Sequence, residues 1–432
     1  MSIATPLIDS VTASYQAVAD SLPGGRQVEV TSRRQMALDA FRRHGLPDHR
    51  IESWKFTSLT GLEKQSWGIP ANEGGIDAAL LQAVSLGIET YRLVFVNGRL
   101  DPAVSKLAGL PDGVVIEALS QSQDVADALG DVVEARDTVL GSLNAALASD
   151  GLVLRIADGV VLDRPVEIVA FGAPGLVNLR HALHLGHGAE AVLVESYRDG
   201  GFAESGWNNI FAGIRLRVGA RLTHLRIQDE NAKSFHAALG RVSVGEGARY
   251  QHVSLQTGGA VARHELHVEF AGSRAEVDLR GLVLARGTAH IDHTLRLHHA
   301  QPHCNSNQLF KHVVDDRGHA VFQGGIRVAP HAQKTDAQQL SRTLLLADRA
   351  QIDTKPELEI LADDVKCSHG ASIGDLDSQQ LFYMRARGLG QDEARRLLLS
   401  GFAYEIVEAL PEGALRDFAD AFVEDRLKGD AA

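Results

Sequence analysis

The chain has 432 residues, more than one ordinary globular core contains, so its length predicts two or three domains or an elongated repeat architecture. Its formal net charge of −12, together with the absence of a run of Lys and Arg, excludes a general nucleic-acid binder, although not a local basic patch. Hydrophobic residues make up 44% of the sequence and aromatic residues only 5%, which favours cores of Val, Leu, Ile and Ala.

The compartment is expected to be the cytoplasm. The first residues, MSIATPLIDSVTASYQ, contain no cationic segment followed by an apolar one, and no apolar stretch approaches membrane-spanning length. Two cysteines, Cys304 and Cys367, are too few for a disulfide framework. We therefore expect a soluble protein whose cysteines are free thiols or metal ligands.

Residues 1–149 are predicted to form a mostly helical N-terminal region. The amphipathic stretch Arg33–His44 predicts a helix that stops at Gly45, with Pro47 just beyond it. The segment YRLVFVNGRL has Asn97–Gly98 after an alternating run, which predicts a strand and a tight turn.

Residues 150–373 are predicted to be a long β region. Short alternating runs such as LVLRI, VEIVAF and IRLRV follow one another and are separated by Gly, Asp and Asn. A unit recurs, consisting of a β run, a glycine-containing turn, an alanine and another β run. This spacing is typical of a β-solenoid with small residues at its corners, and a β-sandwich with similar hairpins is the alternative. The marker alanines are Ala189, Ala220, Ala248 and Ala275, at intervals of 31, 28 and 27 residues.

Residues 374–432 are predicted to form a C-terminal helical domain, suited to capping the β region or docking a partner. Asp377 is expected to cap a helix that stops at Gly388. A second helix should begin near Gln391 and end before Pro411, and LRDFADAFVEDRL predicts a third. The apolar stripe expected on the second helix consists of Ala394, Leu397, Leu398, Gly401, Phe402 and Ile406.

Several catalytic motifs are absent from the sequence. It contains no G-x-x-x-x-G-K-[ST] phosphate loop, so ATP hydrolysis by this chain is not expected. It also contains no G-x-S-x-G and no H-E-x-x-H.

A group of potential metal ligands lies between residues 290 and 304. If HIDHTLRLHH is a strand, alternation splits the group, with His290, Asp292 and His298 on one face and His293 and His299 on the other. We favour histidines on a solvated sheet face over a zinc site, and a mononuclear metalloenzyme is the alternative. The group consists of His290, Asp292, His293, His298, His299, His303 and Cys304.

The stretch DTKPELEILADDVKCSHG is the most informative for function. Alternation from Ile352 to Ala362 predicts one mostly apolar face, and the intervening acids and lysine should face the other way. Cys367 and His369 should share one side of an extended segment, roughly 7 Å apart at their bases. Both can approach one metal ion or cluster edge, but two ligands are too few for a stable site.

Acidic doublets raise one further alternative, a β-helix carbohydrate-active enzyme. Such an enzyme uses carboxylates of adjacent coils as acid and base. Asp315–Asp316 and Asp363–Asp364 are doublets of this kind. Adjacent residues of a strand point to opposite faces, so neither doublet is itself a catalytic pair.

The run IDTKPELEILADDVKCSHGASIGDLD followed by QLFYMRARGL resembles the C-terminal signature of the SufB/SufD family of iron–sulfur cluster assembly proteins. HCNSNQLFKHVVDDRGHAVFQGGIRVAPHAQKTDAQQ, LLSGFAYEIVEALP and RIESWKFTSL agree with it. The resemblance is strongest over residues 290–410. The Lys-Cys-Ser-His-Gly form at 366–370 and the lack of additional cysteines are more similar to the SufD members than to the SufB members.

The resemblance implies a mainly β fold, a right-handed parallel β-helix core flanked by helical regions. It also implies a non-catalytic scaffold that pairs with a SufB-like subunit through the β-helix and with a SufC-like ABC ATPase through the C-terminal helices. His369, with Cys367 beside it, would be a ligand of a transient iron–sulfur cluster shared with the SufB-like partner. Assistance in iron acquisition, and a homodimer when the chain is isolated, are further implications. No nucleotide, nucleic acid or membrane is expected to bind this chain.

Overall fold

The computed structural model describes residues 5–70, 75–130, 135–201 and 204–428. Within these ranges, residues 5–149 contain helices together with three strands that extend the two sheets of a long β-solenoid, so the sheets begin earlier than predicted. Further helices follow the solenoid. The parts of the predicted regions that fall on residues 1–4, 71–74, 131–134, 202–203 and 429–432 lie outside the described residues.

The N-terminal helices confirm the predicted helix stop at Gly45. Gly45 has a φ of 64°, which disfavours other residues, and its N–H donates to the Phe41 carbonyl at 2.8 Å. The helices are α1 (Pro6–Val18), α2 (Val28–His44), α3 (Thr60–Glu63), α4 (Ala78–Val84), α5 (Val125–Leu129) and α6 (Val139–Leu147). Short 3-10 helices span Ala19–Ser21, Glu52–Trp54, Leu119–Gln121 and Arg136–Thr138.

The strands that come after α6 follow one another without a helix between them in the described residues. They are β1 (Tyr91–Val96), β2 (Arg99–Leu100), β3 (Val114–Ala118), β4 (Leu152–Ile156), β5 (Val166–Phe171), β6 (Gly175–Leu185), β7 (Glu190–Arg198), β8 (Gly206–Leu216), β9 (Arg221–Glu230), β10 (Phe235–Val244), β11 (Arg249–Gly258), β12 (Val261–Phe270), β13 (Glu276–Ala285), β14 (His290–His299), β15 (Asn305–Val314), β16 (His319–Val328), β17 (Asp336–Leu345), β18 (Gln351–Ile360) and β19 (Lys366–Gly374). The predicted tight turn joins β1 to β2, with positive φ at both Asn97 and Gly98.

Consecutive strands from β4 onward alternate between two sheets. Sheet A has the order β19-β17-β15-β13-β11-β9-β7-β5-β1-β2, and sheet B has the order β18-β16-β14-β12-β10-β8-β6-β4-β3. Apart from the antiparallel pairs β1–β2 and β3–β4, the named strands pair in parallel. The fold is therefore the predicted parallel β-solenoid, each rung contributing one strand to each sheet, and the hairpin-built sandwich is ruled out.

The predicted corner alanines lie where the chain passes between the sheets. All four, Ala189, Ala220, Ala248 and Ala275, are completely buried. The N–H of Ala248 donates to the carbonyl of Gly245 at 3.1 Å and closes the turn. A larger side chain there would enter the densely packed interior, which explains the recurring small residue.

Three apolar layers hold the molecule together. The solenoid interior is filled by inward-facing residues of both sheets, such as Leu193, Leu222 and Leu266. Most of the N-terminal helices pack with Leu176 and Trp207 of sheet B, but α4 packs on β1 and β5 of sheet A. The C-terminal helices pack on the outer face of sheet A. Apart from α4, the two sets of helices therefore cover opposite sheets.

The C-terminal helices are α7 (Ser378–Ala386), α8 (Gln391–Val407) and α9 (Ala414–Lys428). The predicted cap is confirmed, because Asp377 accepts hydrogen bonds from the N–H groups of Gln379 and Gln380 at 2.8 and 3.2 Å.

The stripe predicted for α8 is confirmed at Ala394 and Ile406, which are buried, and was wrong at Leu397 and Gly401, which are exposed. Leu398 and Phe402 are half-buried. The cause is the packing of α8 against β13 and β15, which buries a side of the helix centred closer to Leu399 and Ala403. The buried residues of α8 are Ala394, Leu399, Ala403, Ile406 and Val407.

Across the ranges that the structure describes, no helix is both long and apolar enough to cross a membrane.

Candidate functional site

The carboxyl-terminal end of the solenoid is open. β19 is the last strand of sheet A and pairs with β17, and β18 is the last strand of sheet B and pairs with β16. Among the described residues, no further strand covers the outer edge of either one. Two strand edges with free backbone donors and acceptors therefore lie at this end.

Cys367 and His369 lie on β19 and face the same way, as predicted. Cys367 is opposite Ala337 and His369 is opposite Gln339 in the pairing with β17. Ala337 and Gln339 are buried inside the solenoid, so both site residues continue the inward-facing side. Because no rung covers them, Cys367 is only half-buried and His369 is exposed.

The apolar side predicted for β18 also faces inward. Thr354, Leu358 and Ile360 are opposite Phe322, Ile326 and Val328, which are buried. The β18 residues themselves are half-buried or exposed, because they belong to the last rung.

His369 ends a row of inward-facing polar residues. Its register partner Gln339 is followed by Gln308, and the Nε2 of Gln339 donates to the Oε1 of Gln308 at 3.0 Å. Across the interior lies Gly324, where a Cβ atom would collide with the Gln339 side chain. The absence of a side chain at Gly324 thus makes room for the polar row behind the site.

The chemistry of the two side chains differs. Burial raises the pKa of the Cys367 thiol, while a hydrogen bond from the Ala337 backbone lowers it. The thiol is therefore mainly protonated at neutral pH until a metal ion favours the thiolate. The exposed His369 makes no hydrogen bond to another described residue, so its imidazole is available as a ligand.

The described residues do not complete a metal site. They contain no group of three or more His, Cys, Asp or Glu side chains arranged to hold a metal ion. Cys367 and His369 are therefore two candidate ligands on an open edge.

The interpretation of the 290–304 histidines as residues of a solvated face was wrong for His293 and His299. Both are buried in the solenoid interior, where their Nε2 atoms lie 3.2 Å from Ser254 Oγ and 2.9 Å from Ser306 Oγ. Burial lowers the pKa of each, to about 4 for His299. These two rings are therefore neutral and structural.

The outward side of the same strand is also partly covered. Asp292 is buried and accepts hydrogen bonds from Thr57, Arg263 and Thr294. His290 and His298 are half-buried, His303 is exposed in a turn, and Cys304 is buried. Because the group is divided between the two sides of β14 and the following turn, it offers no common metal centre for the metalloenzyme alternative.

The acidic doublets lie in turns, not in strands. Asp315 accepts a hydrogen bond from Arg395 at 3.2 Å, and Asp316 accepts one from the Gly287 N–H at 2.9 Å. Asp364 forms an ion pair with Lys334. These carboxylates cap turns and pair with cations, so they give the carbohydrate-active alternative no acid and base facing each other.

Two family models match this chain. The model for the SUF system FeS cluster assembly SufBD core domain matches residues 170–402, and that for the SufBD protein N-terminal region matches residues 8–168. The chain belongs to the SufBD family. The site strand β19 lies within the segment matched by the core-domain model.

Individual SufBD relatives match nearly the whole chain. The iron–sulfur cluster assembly protein SufD of Escherichia coli is 35% identical over 407 residues, covering 92% of this chain and 93% of that protein. A SufBD family protein of Synechocystis is 33% identical over 406 residues, covering 90% and 89%. The chloroplastic protein ABCI7 of Arabidopsis thaliana is 30% identical over 442 residues, covering 99% and 90%.

The RIESWKFTSL segment of this SufBD protein joins the N-terminal region to sheet B, a role that the sequence alone did not assign. The indole N–H of Trp54 donates to the Asp137 carbonyl at 2.8 Å, and the Arg263 guanidinium lies 4.0 Å from the centre of its ring. Thr57 bonds to His290 at 2.9 Å. The sequence signal for this role was Trp54, an aromatic residue surrounded by polar ones. This pattern is typical of a buried ring that has polar partners.

Proposed function

We propose that this chain is a non-catalytic scaffold subunit of a SufBCD-type iron–sulfur cluster assembly complex. The observation that carries the proposal is the position of Cys367 and His369 on the uncovered last strand of the solenoid, where a second chain can supply the missing ligands. Thiolate and imidazole are ligands of iron in cluster sites. The nascent cluster is the cargo of this site and is held only in transit.

A SufB-like subunit is the proposed partner at the open end. The edges of β18 and β19 can accept additional strands, and Ile360, Leu361 and Ile373 are apolar side chains exposed beside them. Strand edges that are exposed beside apolar side chains promote aggregation unless a partner covers them. Pairing there would bring the partner's ligands to Cys367 and His369.

A SufC-like ABC ATPase is the proposed partner of the C-terminal helices. Leu397 and Tyr404 are seven residues apart on α8 and are 45% and 42% exposed, and Phe382 of α7 is 74% exposed. Residues seven apart lie on one side of a helix, so Leu397 and Tyr404 form one apolar surface. The chain has no phosphate loop, so nucleotide binding would be supplied by the ATPase.

The helices are connected to the strands that lead to the site. Lys311 of β15 donates from Nζ to the Phe402 carbonyl at 2.7 Å, and Gln251 of β11 donates to the Ala409 carbonyl at 2.6 Å. β15 pairs with β17, which pairs with β19. Closure of two ATPase subunits on ATP would pull on α8 and shift the population towards an opened interface.

Iron would first be held by the same two side chains, and this is how the subunit would assist iron acquisition. The proposed compartment is the cytoplasm, because Cys304 and Cys367 are both free thiols.

The test is the native mass of the tagged chain purified anaerobically from its own cells, with its companions identified by mass spectrometry. We expect one SufB-like chain and two ATPase subunits with each copy of this chain. A monomer or homodimer that brings no ATPase would contradict the complex, and would direct attention to iron binding by the chain alone.

A further inference from the structure

A cleft lies on the outer face of sheet B, away from the open edge at the last rung. It has a volume of about 550 Å³ and extends across strands β6 to β14, with the segment Asp127–Gly130 as one wall. This volume is within the range of small-molecule sites. Four arginines and two carboxylates line it among the described residues, although the chain as a whole carries a net charge of −12. Two of these arginines are already paired, Arg215 with Asp127 and Arg296 with Asp137. We call this cleft the basic groove; its arginines are Arg180, Arg215, Arg241 and Arg296.

The strand register arranges the cations of the basic groove in a row. Arg241 of β10 is opposite His267 of β12, which is opposite Arg296 of β14. Neighbouring strands are about 4.8 Å apart, so the backbones of the two arginines are roughly 10 Å apart, with an imidazole between them. On its other side Arg241 is opposite Gly213, followed by Ala182. The surface beside the row therefore consists of the Gly213 backbone and the Ala182 methyl group. These small residues leave space for a ligand next to the Arg241 side chain.

Arg241, at one end of the row, makes no hydrogen bond or ion pair with another described residue. The Nε of Arg241 is buried without a hydrogen bond, and no described residue forms an ion pair with its guanidinium. The nearest acids, Glu265 and Asp137, act on Arg241 from a distance but are bonded to other cations. Glu265 bonds to Arg263 at 2.8 Å and to His267 at 2.7 Å, and Asp137 bonds to Arg296 at 2.8 Å. Arg241 is therefore a partly desolvated cation with no carboxylate of its own among the described residues.

A fully buried cation, Arg180, lies beside the half-buried Arg241 in the basic groove. Arg180 is buried and donates to the Ala128 carbonyl at 2.8 Å and to the Asn144 amide oxygen at 3.1 Å. Its guanidinium also lies 3.8 Å from the centre of the Phe211 ring. These partners fix its position but carry no negative charge. Because an uncompensated buried charge is costly, Arg180, with the half-buried Arg241 near it, leaves a site that favours an anion.

We propose that the basic groove binds a small molecule bearing a phosphate or diphosphate group. Planar guanidinium groups match phosphate oxygens in two-pronged hydrogen bonds, and several of them favour a ligand with more than one negative charge. Asp127 and Glu269 at the lining disfavour a long polyanion that would continue past the arginines. The site contains no residue of β18 or β19, so it goes beyond the cluster scaffold and does not depend on it.

The test is titration calorimetry of the full-length chain with inorganic pyrophosphate at low ionic strength. We expect one site in the wild type, and an affinity at least about ten-fold lower in Arg241→Gln, since a hydrogen bond to a charged group contributes about a factor of ten or more. Arg241 makes no bond to other described residues, so the variant should keep its melting temperature. Arg241→Lys, which keeps the charge, should lose less.

The matched control is Arg249→Gln, an exposed arginine on β11 of the other sheet. It should bind pyrophosphate as the wild type does. No binding to the wild type, or equal weakening in Arg249→Gln and Arg241→Gln, would overturn the site. Tighter binding of a poly-glutamate peptide than of pyrophosphate would also overturn it, in favour of an acidic protein segment. None of these results bears on Cys367 and His369.

Discussion

His369 lies directly opposite Gln339 in the pairing of β19 with β17, and Gln339 in turn donates a hydrogen bond to Gln308 one rung further in. The histidine is thus the exposed end of a polar row whose other members are buried. A side chain in this position can change without disturbing the rungs behind it.

The first prediction concerns His369→Ala. Because the side chain is exposed and unbonded among the described residues, the free energy of unfolding should change by less than about 0.5 kcal/mol. Cluster assembly by the purified complex should fall by more than about ten-fold, the least effect expected for loss of a direct ligand. His331→Ala, at another exposed histidine, is the control. Loss of ATPase binding in His369→Ala would contradict the separation of ligand and docking roles.

The second prediction concerns the thiol of Cys367. Burial raises the pKa of this group above its usual value, and the thiolate is the reactive form. Alkylation of the isolated chain by iodoacetamide should therefore be slow at neutral pH and should rise only at a pH above that of an ordinary cysteine. Cys304 is buried and should react only after unfolding. Mass spectrometry distinguishes the two sites. Fast labelling of Cys367 at pH 7 would contradict the raised pKa of its thiol.

The third prediction tests the apolar surface of α8. Leu397→Asp combined with Tyr404→Asp places two charges on this surface, so retention on an immobilised SufC-like ATPase should fall by at least about ten-fold. The β core should keep its melting behaviour, because both side chains are exposed. Val218→Asp, at an exposed apolar residue in a solenoid turn, is the matched control. If charge reversals across residues 391–427 also left retention unchanged, the docking surface would have to be elsewhere.

The fourth prediction is a loss of stability in mild acid. The Leu152 N–H donates to Nδ1 of His181 at 2.9 Å, and burial lowers the pKa of this histidine from 6.5 to about 4. The unfolded chain therefore binds a proton that the folded chain does not, and stability is complete above pH 6.5 and falls as the pH drops towards 4.

Each such histidine contributes up to about 1.4 kcal/mol per pH unit in this window. Urea unfolding between pH 7 and pH 4 measures the slope. His181→Gln removes the titrating group, so its slope should be shallower than that of the wild type by up to this amount. An identical slope in the two proteins would mean that His181 is protonated in the fold.

The solenoid was predictable because its signals are local. Alternation fixes which residues share a side of a strand, and the corner alanines mark each rung. Cys367 and His369 were placed on one side by this parity alone, and β19 confirms it.

Alternation does not show which of the two sides of a strand faces the solenoid interior. His293 and His299 are buried because Ser254 and Ser306, on other strands, offer partners to their rings. Such a partner is non-local, so the histidines were assigned to solvent. For α8, likewise, the sequence does not show which side of the helix is buried. Its three consecutive leucines place apolar residues on most sides of the helix. Only contact with sheet A selects Leu399 for burial.

The corner alanines mark a regular repeat along the solenoid. Each rung takes 27 to 31 residues between neighbouring markers and advances the sheets by about 4.8 Å. Loss or duplication of one whole rung would keep the parity of the strands on either side, and would move the open end by one step relative to the N-terminal helices. A single-residue deletion within a strand would turn its inward side outward. The strands of the solenoid can therefore be lost or gained only as whole rungs, whereas the turns between them can differ in length, as the unequal intervals show.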